Sequence, residues 1–195
     1  MISPELGNRI KRSILIAIIV GFVIFTGSLR IGDFFSYILS HSKDQKASVL
    51  AAMLEATSSP ISFFVDRVVD GDTIDVKVPG GVATIRMIGI NTPETLDPRK
   101  PVQCFGPEAS ARGHELLEEQ TVLLKRDPSQ DTYDKYGRIL AYVFLPDGTF
   151  YNELMIEGGY AKEYTYHSKY EYQKDFRSAQ KQAKKEGRGL WGLCN

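Results

Sequence analysis

Residues 61–90 read ISFFVDRVVDGDTIDVKVPGGVATIRMIGI. Three runs rich in β-branched and aromatic residues, SFFVDRVV, TIDVKV and ATIRMIGI, are separated by Asp70-Gly71 and by Pro79-Gly80-Gly81. Asp-Gly and Pro-Gly-Gly between apolar runs are hairpin signals, because glycine accepts the backbone conformations that reverse the chain within two or three residues. The spacing therefore predicts a three-strand antiparallel meander.

Downstream, Pro107 opens a helical stretch, PEASARGHELLEE, with proline in its first turn and Glu108 near the positive end of the helix dipole. Two further strands, TVLLKR and RILAYVFL, flank a polar loop from Asp127 to Gly137, long enough to suggest a functional role. A short helix near Asn152 to Glu157 and a longer one from about Ser168 to Glu186 precede GRGLWGLCN. Five short strands with three interspersed helices predict a mainly β, α+β architecture: a Greek-key barrel of the oligonucleotide-binding (OB-fold) type. The KQAKKE run reads most simply as the solvated face of the last helix.

Upstream the composition changes. Arg9, Lys11 and Arg12 precede SILIAIIVGFVIFTGSL, seventeen residues without a charge, closed by Arg30. Seventeen apolar residues reach the short end of what crosses a bilayer core, and the cations before them place that end in the cytoplasm. Residues 1–30 are thus expected to be a membrane anchor, or a cleaved signal with Thr26-Gly27-Ser28 as its cleavage region. Residues 31–60 read as a juxtamembrane stalk with a helix around Lys46 to Ala56, and residues 61–195 as the folded domain, outside the cytoplasm or secreted.

The chain carries 24 Lys+Arg and 24 Asp+Glu, and from Pro60 onward 18 basic residues face 20 acidic ones. That balance excludes strong non-specific attraction to polyanions, so any nucleic-acid chemistry needs a local cationic site. The two cysteines, Cys104 and Cys194, fit no zinc or redox spacing. They are either bonded in an oxidising compartment, closing a loop of about 90 residues, or two unrelated thiols.

The chemistry-bearing residues gather around the turns. Asp70 and Asp72 flank Gly71 and project to one side of an extended strand, an arrangement suited to a hard cation and equally common in plain turns. Arg86 sits among Ile85, Met87 and Ile88, where a guanidinium must face an anion: an internal aspartate or a bound phosphate. Pro93 sets a turn that fixes Glu94 near the rim, where it could orient or deprotonate a water, or merely cap the turn. DTYDKYGR supplies a second rim arginine, Arg138. Two cations, a water-handling carboxylate and acidic oxygen ligands are together the parts that phosphoryl transfer requires.

The stretches VVDGDTI, IRMIGINTPE, CFGPEAS, DKYGRILAYV and ELMIEGGYAKEYTY, in this order and at these distances, resemble the staphylococcal-nuclease (thermonuclease) family from Ile61 to about Trp191. The resemblance implies a five-stranded OB-fold barrel with three helices that hydrolyses DNA and RNA using calcium, leaves 3′-phosphate ends and acts as a monomer, with single strands preferred. It assigns Asp72 and the Thr92 backbone carbonyl to Ca²⁺, with Asp70 behind them, and Glu94 as general base or water-orienting group. Arg86 and Arg138 are similar to the pair that grips the scissile phosphate, Lys135 and Tyr136 to binders of a neighbouring phosphate, and Tyr164 and Tyr166 to the aromatic pair lining the nucleotide site. Asn91 departs from the pattern: its amide offers one oxygen to the metal but no negative charge, which predicts weaker calcium binding. The rival expectation is a membrane-tethered OB-fold module that binds nucleic acid or peptide without catalysis.

Overall fold

The computed structural model describes residues 46–57, 59–95 and 101–194. The expected anchor or signal of residues 1–30 and the first part of the stalk lie outside the described residues. Among the described residues no helix is long and apolar enough to cross a membrane.

A helix over residues 46–55 (α1) comes first, followed by strands β1 (Ile61–Asp70), β2 (Thr73–Val78) and β3 (Gly81–Met87). Next are β4 (Ile90–Asn91), helix α2 (Gly106–Leu117), β5 (Thr121–Lys125) and β6 (Ile139–Phe144). Helix α3 (Tyr151–Glu157), β7 (Lys162–Glu163), helix α4 (Gln173–Glu186) and the four-residue α5 (Leu190–Leu193) complete the chain. The expected meander is present: β1 pairs antiparallel with β2, and β2 with β3. β3 then pairs in parallel with β6, β6 antiparallel with β5, and β5 with β1, closing a five-stranded barrel in the order β1-β2-β3-β6-β5. Alternation along the strands sends Val65, Ile74, Val76, Ile85, Leu124, Ile139 and Val143 into the interior, where all are fully buried.

Three boundaries differ from the sequence reading, each for a physical reason. The run 83–90 is not one strand, because Gly89 takes φ +79° and turns the chain so that β4 leaves the barrel and pairs with β7 instead. A side chain at Gly89 would collide with Tyr170 and Phe176, so both its conformation and its space require glycine. The last long helix starts at Gln173 rather than near Ser168, since the backbone of 168–172 is committed elsewhere: Glu171 N–H donates to Asp127 Oδ2 (2.7 Å), and the Lys169 carbonyl accepts from Ser129 and Gln130. The helix expected within the stalk is present over residues 46–55, but its Leu50, Ala51 and Leu54 are buried in the same apolar cluster as the barrel residues, so this part is not a linker. Its Glu55 accepts from Thr132 Oγ1 at 2.9 Å and pairs with Arg126. The three helices expected in the domain are α2, α3 and α4, the helix expected around Lys46 to Ala56 is α1, and α5 is added.

Cys104 and Cys194 are joined by a disulfide, with Cα atoms 5.8 Å apart. Of the two sequence readings of these thiols, the bonded one holds.

Candidate active site

Register delivers the site. The β2–β3 pairing sets Thr73 opposite Arg86, and the parallel β3–β6 pairing sets Arg86 beside Leu140, two residues past Arg138. Asp72 is held immediately before β2 by its carbonyl, which accepts from Met87 N–H at 3.0 Å. The Asp70-Gly71-Asp72 turn does not place its glycine at positive φ, as a hairpin glycine would be. Gly71 is required by proximity instead: a Cβ there would lie 2.7 Å from Thr92 Cγ2, and its carbonyl accepts from the buried Tyr151 hydroxyl at 2.8 Å. The two segments carrying the aspartates and the Asn91-Thr92 pair are thereby pressed together.

Arg86 is 9% exposed, and both of its Nη nitrogens have partners. Its Nη2 lies 3.0 Å from Asp72 Oδ2 and donates to Asn91 Oδ1 at 3.2 Å, while Nη1 donates to the Met87 carbonyl at 2.6 Å. Asp72 also accepts from Thr73 Oγ1 (2.8 Å) and from Thr92 N–H (3.1 Å). Arg138 donates through Nε to Asp134 Oδ2 at 2.6 Å, and its Nη1 lies 3.5 Å from Thr73 Oγ1. The two arginines therefore each have an acid, and the Thr73 hydroxyl links the two pairs. Asp134 was not picked out from the sequence, although it stands four residues before Arg138; its other oxygen accepts from the N–H groups of Tyr136 and Arg138, which shapes the turn.

One open cleft of about 1190 Å³ is lined by both arginines. Asp70, Asp72, Asn91, Thr92 and Glu94 form one wall. Lys135 and Tyr136 come from the polar loop, and Tyr164 and Tyr166 from the segment after β7. Every residue expected at the site, the cysteines apart, thus lines a single cavity. Tyr136 is the most exposed of the described tyrosines at 71%, and it faces both Arg138 and Lys135, at 5.3 and 5.0 Å from the ring centroid. Tyr164 and Tyr166 stand 6.1 Å apart with about half of each side chain open to solvent, and His167 packs edge-on against Tyr166. Glu163 holds this wall by accepting from Thr165 Oγ1 and from the Tyr170 hydroxyl at 3.0 Å.

Two further residues escaped sequence reading. Gln103 makes a reciprocal pair with Glu94: Glu94 N–H donates to Gln103 Oε1 (3.1 Å), and Gln103 N–H donates to the Glu94 carbonyl (3.0 Å). Asp127, 2% exposed, accepts from Tyr142 OH (2.6 Å), Glu171 N–H, Ser129 N–H and Ser129 Oγ, and so ties the polar loop to the segment of Tyr164 and Tyr166. Neither residue has a spacing signature for this role, because Tyr142 and Glu171 for Asp127, and Glu94 for Gln103, lie well away in sequence.

Burial drives the Asp70 carboxyl up to about 6; the Gly71 N–H opposes the shift, and the nearby charges of Asp72 and Glu94 add to it. Among the described residues no three acidic, histidine or cysteine side chains converge as a cage for a metal. The available donors are the Asp72 carboxylate, the Asn91 amide oxygen and the Thr92 carbonyl, all hard oxygens of the kind calcium takes. They fit in type, with the charge of one carboxylate. The Thr92 carbonyl meanwhile accepts from Asn91 Nδ2 at 3.4 Å, and the Asn91 oxygen faces Arg86.

A barrel with two guanidinium groups and several carboxylates converging at one rim is suited to an anionic ester. The family described as staphylococcal nuclease homologue matches residues 84–192. The chain is 43% identical over 130 residues to a thermonuclease of Staphylococcus hyicus, covering 67% of this chain and 75% of that protein. It is 42% identical over 131 residues to a thermonuclease of Staphylococcus intermedius, covering 67% of this chain and 76% of the relative. It is also 36% identical over 152 residues to the endonuclease YncB of Bacillus subtilis, covering 77% of this chain and 65% of the relative. The chain belongs to the staphylococcal nuclease homologues and is a hydrolytic nuclease of that family.

Proposed function

We propose that this protein is a calcium-dependent endonuclease that hydrolyses DNA and RNA phosphodiesters with little sequence specificity and leaves 3′-phosphate ends. The observation that carries the reading is the chain Arg86–Asp72–Thr73–Arg138 along one cleft wall. Paired guanidinium groups offer bidentate donors to the non-bridging oxygens of a phosphodiester and strengthen their hold as charge develops on them. Glu94 orients or deprotonates the attacking water. The water oxygen bonds to phosphorus and gives up a proton through Glu94 to solvent; the bond to the 5′ oxygen breaks, and that oxygen, its charge met by Arg138, takes a proton from solvent while the phosphate stays on the 3′ side. Calcium, held by Asp72, Asn91 and the Thr92 carbonyl with Asp70 behind them, would supply further positive charge to the phosphate.

Lys135 and Tyr136 bind an adjoining phosphate, and Tyr164 and Tyr166 offer π-faces on which any base stacks, which suits single strands and tolerates sequence. The cations before the apolar run support a membrane-tethered or exported domain, and a monomer suffices because one chain supplies every group. The test is digestion of single-stranded DNA and of RNA by the purified protein with millimolar calcium or with chelator, followed by end-group analysis. Calcium-dependent fragments with 3′-phosphates are expected. Intact substrate with retained binding would establish the rival reading, a non-catalytic module.

A further inference from the structure

The two-stranded sheet of β4 and β7 sets Asn91 opposite Lys162. Facing residues of an antiparallel pair project to the same side, so Lys162 emerges beside the residue that touches Arg86. Its ammonium lies 5.7 Å from the ring centroid of Trp191, and that of Lys184, from the last turn of α4, lies 4.3 Å from the same ring. One indole thus carries two ammonium groups. Neither has a carboxylate within ion-pair distance among the described residues, in contrast to Lys125, Arg67, Arg126 and Arg177. Two like charges around one indole, with no carboxylate partner among the described residues, are organised for an anion from outside.

A second depression, of about 160 Å³, adjoins Lys162. Lys162, Leu190 and the Cys104–Cys194 bridge line it. Asn91, Thr92 and Gln103 line both this depression and the main cleft. The two depressions share a wall, and the disulfide ties α5, which carries Trp191, to the rim segment of Gln103.

We propose that Lys162 and Lys184, assembled on Trp191, form an additional subsite that binds a backbone phosphate of the polynucleotide as the strand leaves the cleft over Asn91 and Gln103. The proposal rests on the nuclease reading and extends its substrate contact to strands longer than the cleft. Being purely cationic, the subsite needs no metal.

Trp191 is the only tryptophan in the chain, so its emission reports on the subsite directly. The whole protein is titrated with oligothymidylates of two and twelve nucleotides in chelator at low salt. The dodecamer is expected to change the emission and the dinucleotide to leave it unchanged. In Lys162→Gln/Lys184→Gln the dodecamer Kd should rise by roughly tenfold, and the slope of log K against log salt should fall by about 0.7, one single-strand phosphate contact. Lys162→Arg/Lys184→Arg should restore both. Lys174→Gln/Lys185→Gln, which removes the same charge elsewhere on α4, should change neither.

No response of wild-type emission to the dodecamer overturns the subsite, as does an unchanged Kd and slope in the cluster variant, or an equal loss in the α4 control. The calcium-dependent digestion assay is read separately. Its failure would remove the nuclease reading, whereas normal digestion with an unaltered cluster variant removes the subsite alone.

Discussion

Arg86 and Arg138 meet through a single hydroxyl: Thr73 Oγ1 donates to the Asp72 carboxylate that holds Arg86 and lies 3.5 Å from Arg138 Nη1. Neither guanidinium is a loose side chain awaiting substrate. Each is pre-aimed by an acid behind it, which lowers the ordering cost when a phosphate enters. Lysine keeps the charge but loses the planar fork. Arg86→Lys and Arg138→Lys should each lower kcat by roughly a hundredfold or more. Thr73→Val, close to isosteric, should lower it by about tenfold while Tm stays within a few degrees. Steady-state kinetics with thermal melts check this, and full activity in either lysine variant would remove the paired-guanidinium account.

Asn91 turns its amide between Arg86 and the Thr92 carbonyl, accepting from one and donating to the other. Asp at this position has no N–H, so it would release the Thr92 carbonyl and add a negative charge to a donor set that otherwise has one direct carboxylate. In Asn91→Asp the calcium concentration for half activity should fall by roughly tenfold. Calorimetric titration of calcium into the free protein should show the same gain without substrate. An unchanged calcium requirement would mean that the position does not contact the ion.

The barrel and its site were legible from the sequence to different depths. The strand runs around Ile74, Ile85 and Ile139 declare themselves because each pairs with a neighbour in a meander or across one loop, and period-two burial imprints on the residues. Arg86 was legible because a charge in an apolar strand is anomalous there, whereas Asp72, Glu94 and Arg138, each ordinary alone, were legible as candidates only in combination with it. Asp127 and Gln103 were not, since their roles consist of hydrogen bonds to Glu171 and Glu94, which no local pattern encodes. The late start of α4 follows from the same cause: helix propensity of 168–172 is overridden by backbone groups bonded to the Asp127 loop. Leu50 and Leu54 carry a helical spacing that says a face is buried, without saying that the barrel buries it.

Glu94 is held by the reciprocal Gln103 pair, and the next residue after Gln103 is bonded to Cys194. Gln103→Ala leaves the Glu94 N–H without its acceptor and should lower kcat about tenfold with KM nearly unchanged, because the carboxylate is displaced while the phosphate grip is untouched. Faster hydrogen exchange at the Glu94 amide would accompany the loss. Cys104→Ser/Cys194→Ser opens a loop of 90 residues in sequence. That should remove up to roughly 4 to 5 kcal/mol in the chain-entropy model, visible as a large drop in Tm. A Gln103→Ala enzyme with wild-type kcat would show that the rim turn holds itself.

Asp127 decides the behaviour of the loop in acid. Burial alone would raise its carboxyl, but the combined hydrogen bonds from Tyr142, Glu171 N–H and Ser129 outweigh it and hold the group below the ordinary carboxylate range. A folded-state value below the unfolded one of about 3.9 stabilises the fold fully above that pH. The contribution is lost as pH falls through the lower folded value, when the protonated carboxyl must compete as a donor with four donors already facing it. Asp127→Asn places an N–H₂ among those donors at every pH, and should cost roughly 1 to 3 kcal/mol near neutrality, or several degrees of Tm. The variant's Tm should then depend less on pH below about 4 than the wild type's. Because this carboxylate ties the Lys135–Tyr136 loop to the Tyr164–Tyr166 wall, the same variant should raise KM for single-stranded DNA more than it lowers kcat. Melting curves across pH 2.5 to 7 (a range of about one to three units either side of the unfolded value), together with KM at neutrality, test both halves. Parallel acid limbs for the two proteins would place the acid-sensitive group elsewhere.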